Sequence, residues 1–234
     1  MSARFAELAF SPTPIGELSL RRRRDPSTGA DVHEVKLGDD YLMSSQFTVA
    51  EIALADLALA RLSNGPLSVV VGGLGLGYTA VAALADDRVA DLLVVDYLQP
   101  VIDWHQAGLV PLGERLTADP RCRLVQGDFF ALCAGEGFGA GPLDAILVDI
   151  DHSPQHLLDD ASAGFYSPAG TARLAEHLRP GGVYALWSND PPDPSYIRLL
   201  ETVFVDVAAE VVTFPNPLQD RTATNTVYVA TRPD

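Results

Sequence analysis

A glycine-rich turn and an acidic residue follow two apolar segments, and together they have the chemistry of a nucleoside site. Residues 67–71 run into Gly72-Gly73-Leu74-Gly75-Leu76-Gly77, and residues 92–95 lead to Asp96. Glycine lets the backbone approach a ligand closely, because it tolerates positive φ and carries no side chain. An acid that closes the next strand, roughly 20 residues further on, can accept hydrogen bonds from a ribose diol.

The same glycine run leaves two other interpretations open. Residues 75–80, Gly-Leu-Gly-Tyr-Thr-Ala, fit the dinucleotide pattern G-x-G-x-x-A, which would indicate a nicotinamide cofactor. Glycine-rich turns also occur in loops that bind nothing. Lysine is present only at Lys36, so the Tyr-x-x-x-Lys pair with which short-chain dehydrogenases lower a tyrosine pKa is absent. That absence argues against the nicotinamide interpretation.

The elements that must position these residues alternate between strand and helix after residue 45. Residues 47–62 have helical spacing, and strands are predicted near 67–72, 91–96, 121–126, 143–149 and 182–188, each followed by a helix. Such alternation predicts a parallel sheet with ligands at the carboxyl ends of its strands. Residues 203–212 and 226–230 predict an antiparallel hairpin at one edge, with a polar loop over 216–226.

The first 45 residues have a different pattern. Short alternating segments at 17–22, 32–37 and 41–43 are separated by proline and glycine, which favours β-hairpins. We therefore predict an N-terminal β-strand region over residues 1–45 and an α/β domain over residues 46–234.

Composition limits the possible functions. The chain has 234 residues, 47% of them hydrophobic, and no apolar run long enough to cross a bilayer. Its net charge of −15 argues against a nucleic-acid backbone as the main partner. We expect a cytoplasmic protein with no secretory leader, and we expect Cys122 and Cys133 to be core residues.

Several motifs in this order resemble the spermidine synthase family, and more narrowly its spermidine-synthase-like bacterial branch. The resemblance covers about residues 41–190 and rests on residues 42–45, the glycine loop, Val95-Asp96, residues 119–121 with Gly127-Asp128, Asp149-Ile150-Asp151, residues 165–167, and residues 178–182 with Trp187-Ser188. It implies a Rossmann-like seven-stranded class I S-adenosylmethionine-dependent methyltransferase fold. It also implies S-adenosylmethionine or its decarboxylated form as cofactor, a small-molecule acceptor such as an amine, and a homodimer formed through the N-terminal strands.

The resemblance also assigns roles to individual residues. Asp149 would bind and deprotonate an attacking amine, with Asp151 as the second catalytic acid. The cofactor-binding residues would be Gly73, Gly75, Gly77, Asp96, Tyr97, Gly127, Asp128, Phe129 and Asp149. The substrate side would comprise Gln46, Glu51, His152, Trp187 and Asn189. The residues themselves allow a simpler role for Asp96 and Asp128, because an acid at a strand-to-helix turn is often a helix N-cap.

Three departures from the family pattern decide the reaction that we expect. The acid that contacts the amino group of decarboxylated S-adenosylmethionine is replaced by Leu76, the tyrosine before Glu51 by Val49, and the second acid after Asp149 is displaced to Asp151. A buried ammonium without its carboxylate is costly. We therefore expect methyl transfer, with aminopropyl transfer as the alternative. A further alternative is a catalytically inactive, dimeric cofactor-binding module.

Two histidine-containing segments invite other interpretations. His152 and His156 have the spacing of a zinc-binding helical pair, but Pro154 interrupts the helix, so no metal site is expected. Trp104 and His105 follow Asp96 on a predicted helix, where packing is the simpler role and a lid over the cofactor is the alternative.

Overall fold

The N-terminal region forms a four-stranded antiparallel sheet. A computed structural model describes residues 5–135, 137–139, 141–216 and 221–234. The strands pair in chain order, and they are β1 (Phe5–Thr13), β2 (Gly16–Arg24), β3 (Asp31–Leu37) and β4 (Asp40–Ser44). The sequence pattern missed β1, which contains Pro12; β1 is an edge strand, where a proline is tolerated. The boundary near residue 45 lies between β4 and the first helix and remains a prediction.

The remainder of the chain builds a seven-stranded sheet. Its order is β10-β11-β9-β8-β5-β6-β7, and only β11 runs antiparallel to its neighbours. The strands are β5 (Leu67–Gly72), β6 (Val89–Asp96), β7 (Cys122–Gln126), β8 (Leu143–Val148), β9 (Leu178–Ser188), β10 (Val205–Asn216) and β11 (Arg221–Thr231). This topology confirms the predicted Rossmann-like α/β fold with one antiparallel hairpin.

Helices cover both faces of the large sheet, so its strands are buried on two sides. The helices are α1 (Val49–Leu59), α2 (Tyr78–Leu84), α3 (Gln99–Gln106), α4 (Gly113–Ala118), α5 (Phe129–Ala134), α6 (Pro168–His177) and α7 (Pro194–Leu200), with a 3₁₀ helix at Asp160–Gly164. Within β5, Val69 and Val71 belong to one apolar core and Val70 to the other, because successive side chains point to opposite faces. In the described part of the chain no helix is both long and apolar enough to span a membrane.

The β10–β11 hairpin is longer than the sequence pattern indicated. β11 pairs with β9 only over residues 226–231, while its first half pairs with β10 alone. The hairpin therefore extends past the carboxyl end of β9. The predicted polar loop over 216–226 was wrong for Asn216 and for 221–226, which lie in paired strands, and residues 217–220 lie outside the described residues. Threonine at 222, 224 and 226 suits a pleated strand, although the segment reads as polar.

Candidate functional site

A cavity of about 1070 Å³ opens at the carboxyl ends of β5, β6 and β8. This volume is at the upper end of the usual range for small-molecule sites, which is about 300–1,000 Å³. Six acidic residues line it, namely Glu51, Asp96, Asp128, Asp149, Asp151 and Asp159. Among the described lining residues, Arg173 is the only lysine or arginine. The cavity therefore favours ligands that carry positive charge.

The glycine loop forms the floor of this cavity and packs directly on the end of β8. Gly73, Gly75 and Gly77 all have positive φ, at 92°, 49° and 89°. A Cβ on Gly73 would lie 2.1 Å from the carbonyl oxygen of Asp149. A Cβ on Gly75 would lie 2.1 Å from Cε of Met43. The backbone conformation favours glycine at all three positions, and at Gly73 the backbone of Asp149 also leaves no room for a side chain.

His105 supports the loop from below, which the sequence pattern did not reveal. Its Nε2 lies 2.9 Å from the carbonyl oxygen of Gly75, and the side chain is fully buried. Burial lowers the pKa of His105, so the neutral ring donates its Nε2 proton to that carbonyl. Trp104 is buried in the apolar core and does not line the cavity. Both side chains therefore pack in the interior, and neither forms a lid over the cavity.

Asp96 ties the glycine loop to the end of β6. Its Oδ2 accepts a hydrogen bond from the backbone N–H of Leu74 at 2.9 Å, and its Oδ1 accepts one from Leu98 at 2.8 Å. Burial raises the pKa of Asp96, and the backbone donors oppose that rise. Each carboxylate oxygen has two lone pairs, so both oxygens retain capacity for a diol. Tyr97 follows on the same rim and is exposed.

Asp128 is the helix N-cap that the sequence allowed, and its predicted role in cofactor binding stays a prediction. Its Oδ1 caps α5 by accepting the N–H of Ala131 at 3.0 Å, and the residue also lines the cavity. The ring of Phe129 packs under the loop, 2.6 Å from where a Cβ on Gly72 would lie. Gly127 does not line the cavity; its N–H donates to the carbonyl of Asp96 at 2.9 Å and joins two strand ends.

The hydroxyl of Thr79 links the carboxylate of Asp149 to the backbone of Glu51, and both acids line the cavity. Thr79 Oγ1 donates to Oδ2 of Asp149 at 2.7 Å and lies 3.3 Å from the carbonyl oxygen of Glu51. Burial raises the pKa of Asp149 to about 6. Burial, reinforced by the charge of Asp149, raises the pKa of Glu51 to about 8. Two carboxyl groups that share one cavity raise each other's affinity for a proton and favour a cationic ligand.

Asp151 also lines the cavity, but its carboxylate accepts hydrogen bonds from neighbouring residues of the chain. Oδ1 accepts the N–H of Leu158 at 2.7 Å, and Oδ2 accepts the hydroxyl of Tyr166 at 2.8 Å and that of Ser162 at 3.4 Å. The side chain is buried. These contacts join Asp151 to the segment that follows β8. The role of Asp151 in catalysis stays a prediction.

The predicted substrate-side residues do not all reach the cavity. Glu51, His152, Trp187 and Asn189 line it, and Asn189 Oδ1 accepts a hydrogen bond from Asn225 at 3.2 Å. Gln46 does not line it. Its amide is held between Arg23, which donates to Oε1, and Asp25, which accepts from Nε2 at 3.1 Å.

His152 and His156, which have the spacing of a zinc-binding pair, are separated by a turn. Nδ1 of His156 lies 2.7 Å from Oδ2 of Asp190 and 3.1 Å from the hydroxyl of Ser153. Over the described ranges, no three His, Cys, Asp or Glu side chains are grouped to hold a metal ion.

An aromatic wall faces the acidic cluster and was also missed. The rings of Phe47, just before α1, and Phe214, in β10, lie 5.7 Å apart between centroids, and both line the cavity. Ala223, Thr224 and Asn225 of β11 complete this side. The extended hairpin brings these residues to the site, and no local motif marks them.

The architecture matches the Rossmann-like α/β fold of the class I S-adenosylmethionine-dependent methyltransferases. Within that class, the chain has the fold of spermidine synthase. It superposes on spermidine synthase in complex with the transition-state analogue AdoDATO with a TM-score of 0.75 and 16% identity, covering 96% of this chain and 73% of that one. Spermidine synthase from Thermotoga maritima gives a TM-score of 0.73 and 16% identity over 96% and 72% of the two chains. No family model matches the sequence, and no curated protein matches it significantly.

Proposed function

We infer that this protein transfers the methyl group of S-adenosylmethionine to a small-molecule amine. The observation that carries this proposal is the acid pair Glu51 and Asp149, which shares one cavity with the glycine loop and Asp96. An amine arrives as a cation and must lose a proton before its lone pair can attack. Paired, partly buried carboxyl groups supply both the attraction for the cation and the acceptor for the proton.

The residues present fit the nucleoside part of this cofactor. The loop around Gly73 and Gly75 is a cradle that any Cβ would fill, as backbone approach to a ligand requires. Asp96 supports hydroxyl binding at the end of β6, and Asp128 can accept from an exocyclic amine. The excess of acidic lining residues suits a sulfonium. The roles that the sequence analysis gave to Glu51 and the other site residues are part of this proposal.

The chemistry divides between the cofactor and the chain. A bound sulfonium supplies an electrophilic methyl carbon and a neutral leaving group. Asp149 removes a proton from the acceptor ammonium, and Thr79 holds the carboxylate in place. With the donor held by the glycine loop and Asp96, the amine lone pair would form the N–C bond as the C–S bond breaks, and the electron pair of that bond would go to sulfur. The protein contributes orientation and a site shielded from water.

Aminopropyl transfer is the second candidate. Similarity to a spermidine synthase solved with a transition-state analogue supports it, as does the presence of Glu51. Against it, Leu76 is buried and apolar, and Met43 fills the space beside Gly75. An aminopropyl ammonium at this end of the loop would therefore lack a carboxylate partner from the loop itself, which is costly.

A comparison of donors tests the proposal. Thermal shift and calorimetry with S-adenosylmethionine, its decarboxylated form and methylthioadenosine should show tightest binding of S-adenosylmethionine. Preference for the decarboxylated compound would favour aminopropyl transfer instead. Tight donor binding without transfer of a radiolabelled methyl group to any amine pool would favour a catalytically inactive binding module.

The homodimer also remains a proposal. The N-terminal sheet exposes large apolar side chains, with Phe5 at 55%, Phe10 at 53% and Tyr41 at 59% of their accessible surface. Such side chains on a small sheet suit an interface between two copies. Light scattering should give twice the mass of one chain, and Phe10→Glu should shift the equilibrium towards the monomer.

A further inference from the structure

The ring of His105 lies beneath the glycine loop and contacts it at two positions. His105 is in the last turn of α3, and its side chain is fully buried. Its Nε2 lies 2.9 Å from the carbonyl oxygen of Gly75. A Cβ on Gly77 would lie 3.0 Å from its Cε1, so the ring also packs against the residue that precedes α2. His105 itself does not line the cavity.

Gly75 is held from both sides of its backbone. Its φ of 49° is in the left-handed region. Its N–H is one of the backbone donors that lower the pKa of Asp96 against the effect of burial. Its carbonyl oxygen faces His105. One residue at the end of β6 and one on α3 therefore fix the two peptide groups that flank Gly75.

The contact with Gly75 determines which nitrogen of His105 carries the hydrogen. A carbonyl oxygen only accepts, so Nε2 must be the donor, and Nδ1 of the neutral ring carries no hydrogen. Nδ1 is buried and has no hydrogen-bond partner among the described residues. Protonation would place an N–H group there without an acceptor, which is unfavourable. A charged ring must leave that N–H unpaired or move away from the loop.

Burial, and not a neighbouring charge, accounts for the state of His105. Burial lowers its pKa, and the carbonyl of Gly75 opposes that change. The titratable or charged side chains on the elements around it are Tyr78, Asp91, Asp96, Asp103, Glu114, Arg115, Cys122 and Arg123. None of these groups is a cause of the lowered pKa. The protonation of His105 is therefore linked to the packing of the loop on its ring.

We propose that His105 is a positioning residue for the donor: the neutral ring holds the glycine loop through Gly75, and protonation of the ring weakens donor binding. This inference rests on the proposed function and concerns the control of its donor site. Because the donor requires the neutral ring, a proton competes with it. Donor affinity should be complete at neutral pH and should fall as the pH falls through the pKa of His105 in the ligand-free protein, by up to about 10-fold per pH unit.

Two substitutions at this position separate the hydrogen bond from the titration. Calorimetry with S-adenosylhomocysteine, between about pH 7.5 and 5, would compare the wild type with His105→Gln and His105→Phe. Glutamine keeps an N–H donor and does not titrate, so its affinity at neutral pH should stay within about threefold of wild type. Phenylalanine keeps a ring but leaves the Gly75 carbonyl unpaired, so affinity should fall about 10-fold at neutral pH.

The pH curves provide the measurement that a packing role would not change. Glu51, Asp96 and Asp149 remain in all three proteins, so the difference between the curves isolates His105. The decline of affinity in acid should be shallower in His105→Gln than in the wild type. Circular dichroism at each pH restricts the comparison to folded protein. If His105→Phe does not fold, the curve of His105→Gln decides by itself.

His177→Phe is the matched control. Nε2 of His177, on α6, lies 2.7 Å from the carbonyl oxygen of Cys133, and His177 does not line the cavity. The substitution removes the same type of contact away from the glycine loop. It should change neither the donor affinity nor its dependence on pH.

Two kinds of failure are distinguishable. Wild-type protein that binds S-adenosylhomocysteine with the same acid dependence as His105→Gln would overturn this inference and leave the transferase proposal standing. An unchanged affinity in folded His105→Phe would do the same. Absence of binding to the wild type at neutral pH would overturn the transferase proposal and this inference together.

Discussion

The hydroxyl of Thr79 donates a hydrogen bond to Oδ2 of Asp149 across 2.7 Å. Thr79 is in the first turn of α2, directly after the glycine loop, and Asp149 follows β8. The bond joins one oxygen of the partly exposed Asp149 carboxylate to the buried Thr79 side chain and leaves the other oxygen available for the methyl acceptor. Thr79 is therefore a positioning residue for the proposed base, and it joins the donor loop to the acceptor side of the cavity.

Replacing Thr79 by valine should reduce turnover while sparing donor binding. The hydrogen bond lowers the pKa of Asp149, so its loss should move the acidic limb of the pH–rate profile to higher pH. A hydrogen bond to a charged group contributes about 1.5–3 kcal/mol, which corresponds to a loss of about 10- to 100-fold in kcat/KM. Thr79→Ser restores the hydroxyl and should recover most of the activity. A fall in rate without a shifted pH profile would indicate a packing role only.

The acids at the ends of β6 and β8 should behave differently when replaced. Asp96→Ala removes the diol acceptor and leaves the N–H groups of Leu74 and Leu98 unpaired, so donor affinity should fall by at least about 100-fold. Asp149→Asn keeps the size of the side chain and should spare donor affinity while abolishing turnover. Calorimetry measures the donor affinity of both variants, and a methyl-transfer assay measures their turnover. Loss of donor affinity in Asp149→Asn but not in Asp96→Ala would show that the two roles are exchanged.

The acid pair predicts a specific dependence of stability on pH. The pKa values of Glu51 and Asp149 are raised in the folded state, so the folded protein binds more protons than the unfolded chain between about pH 4 and 8. Stability of the ligand-free protein should therefore fall as pH rises through this range, by at most about 1.4 kcal/mol per pH unit for each proton. Denaturant unfolding at several pH values measures the slope.

Glu51→Gln is the control for that slope. It removes the group with the larger shift and should flatten the decline between about pH 6 and 8. A slope that is the same in the variant and the wild type would assign the pH dependence to other groups.

Alanine substitutions at two glycines with similar φ distinguish the effect of backbone strain from the effect of steric crowding. Gly75 and Gly38 have similar positive φ, at 49° and 56°. A Cβ at Gly75 would meet Met43, whereas one at Gly38 would meet nothing within 4 Å. Gly38→Ala should cost about 1–2 kcal/mol of stability and leave donor binding intact. Gly75→Ala should cost more and abolish donor binding, and adding Met43→Ala should recover part of the stability.

The framework of the proposed donor site was predictable because it is local in the sequence. A strand, a glycine turn and a helix are adjacent, and an acid that closes the next strand must emerge at the same edge of a parallel sheet. The order of these elements therefore brings Gly73, Asp96 and Asp128 to one edge, and all three line the cavity. The confirmed sheet topology follows from the same alternation of apolar strands and helices.

The acceptor side was harder to predict because distant segments build it. Gln46 was expected there, but Arg23 and Asp25 of the N-terminal sheet hold its amide. Phe214 was not expected, because only the length of the hairpin brings it to Phe47. Neither contact has a local signal, since the partners are separated by more than 20 residues in the first case and by well over 100 in the second.

The sequence by itself determined the alternation of elements, the glycine loop and the order of the acids, because hydrophobic periodicity and backbone conformation depend on near neighbours. Only the tertiary structure decided which carboxylates remain available. Asp151 accepts three hydrogen bonds from the segment after β8, whereas Asp149 accepts one side-chain hydrogen bond, from Thr79. Burial and partner geometry set the pKa and the availability of an acid, and both depend on segments that meet only when the chain has folded.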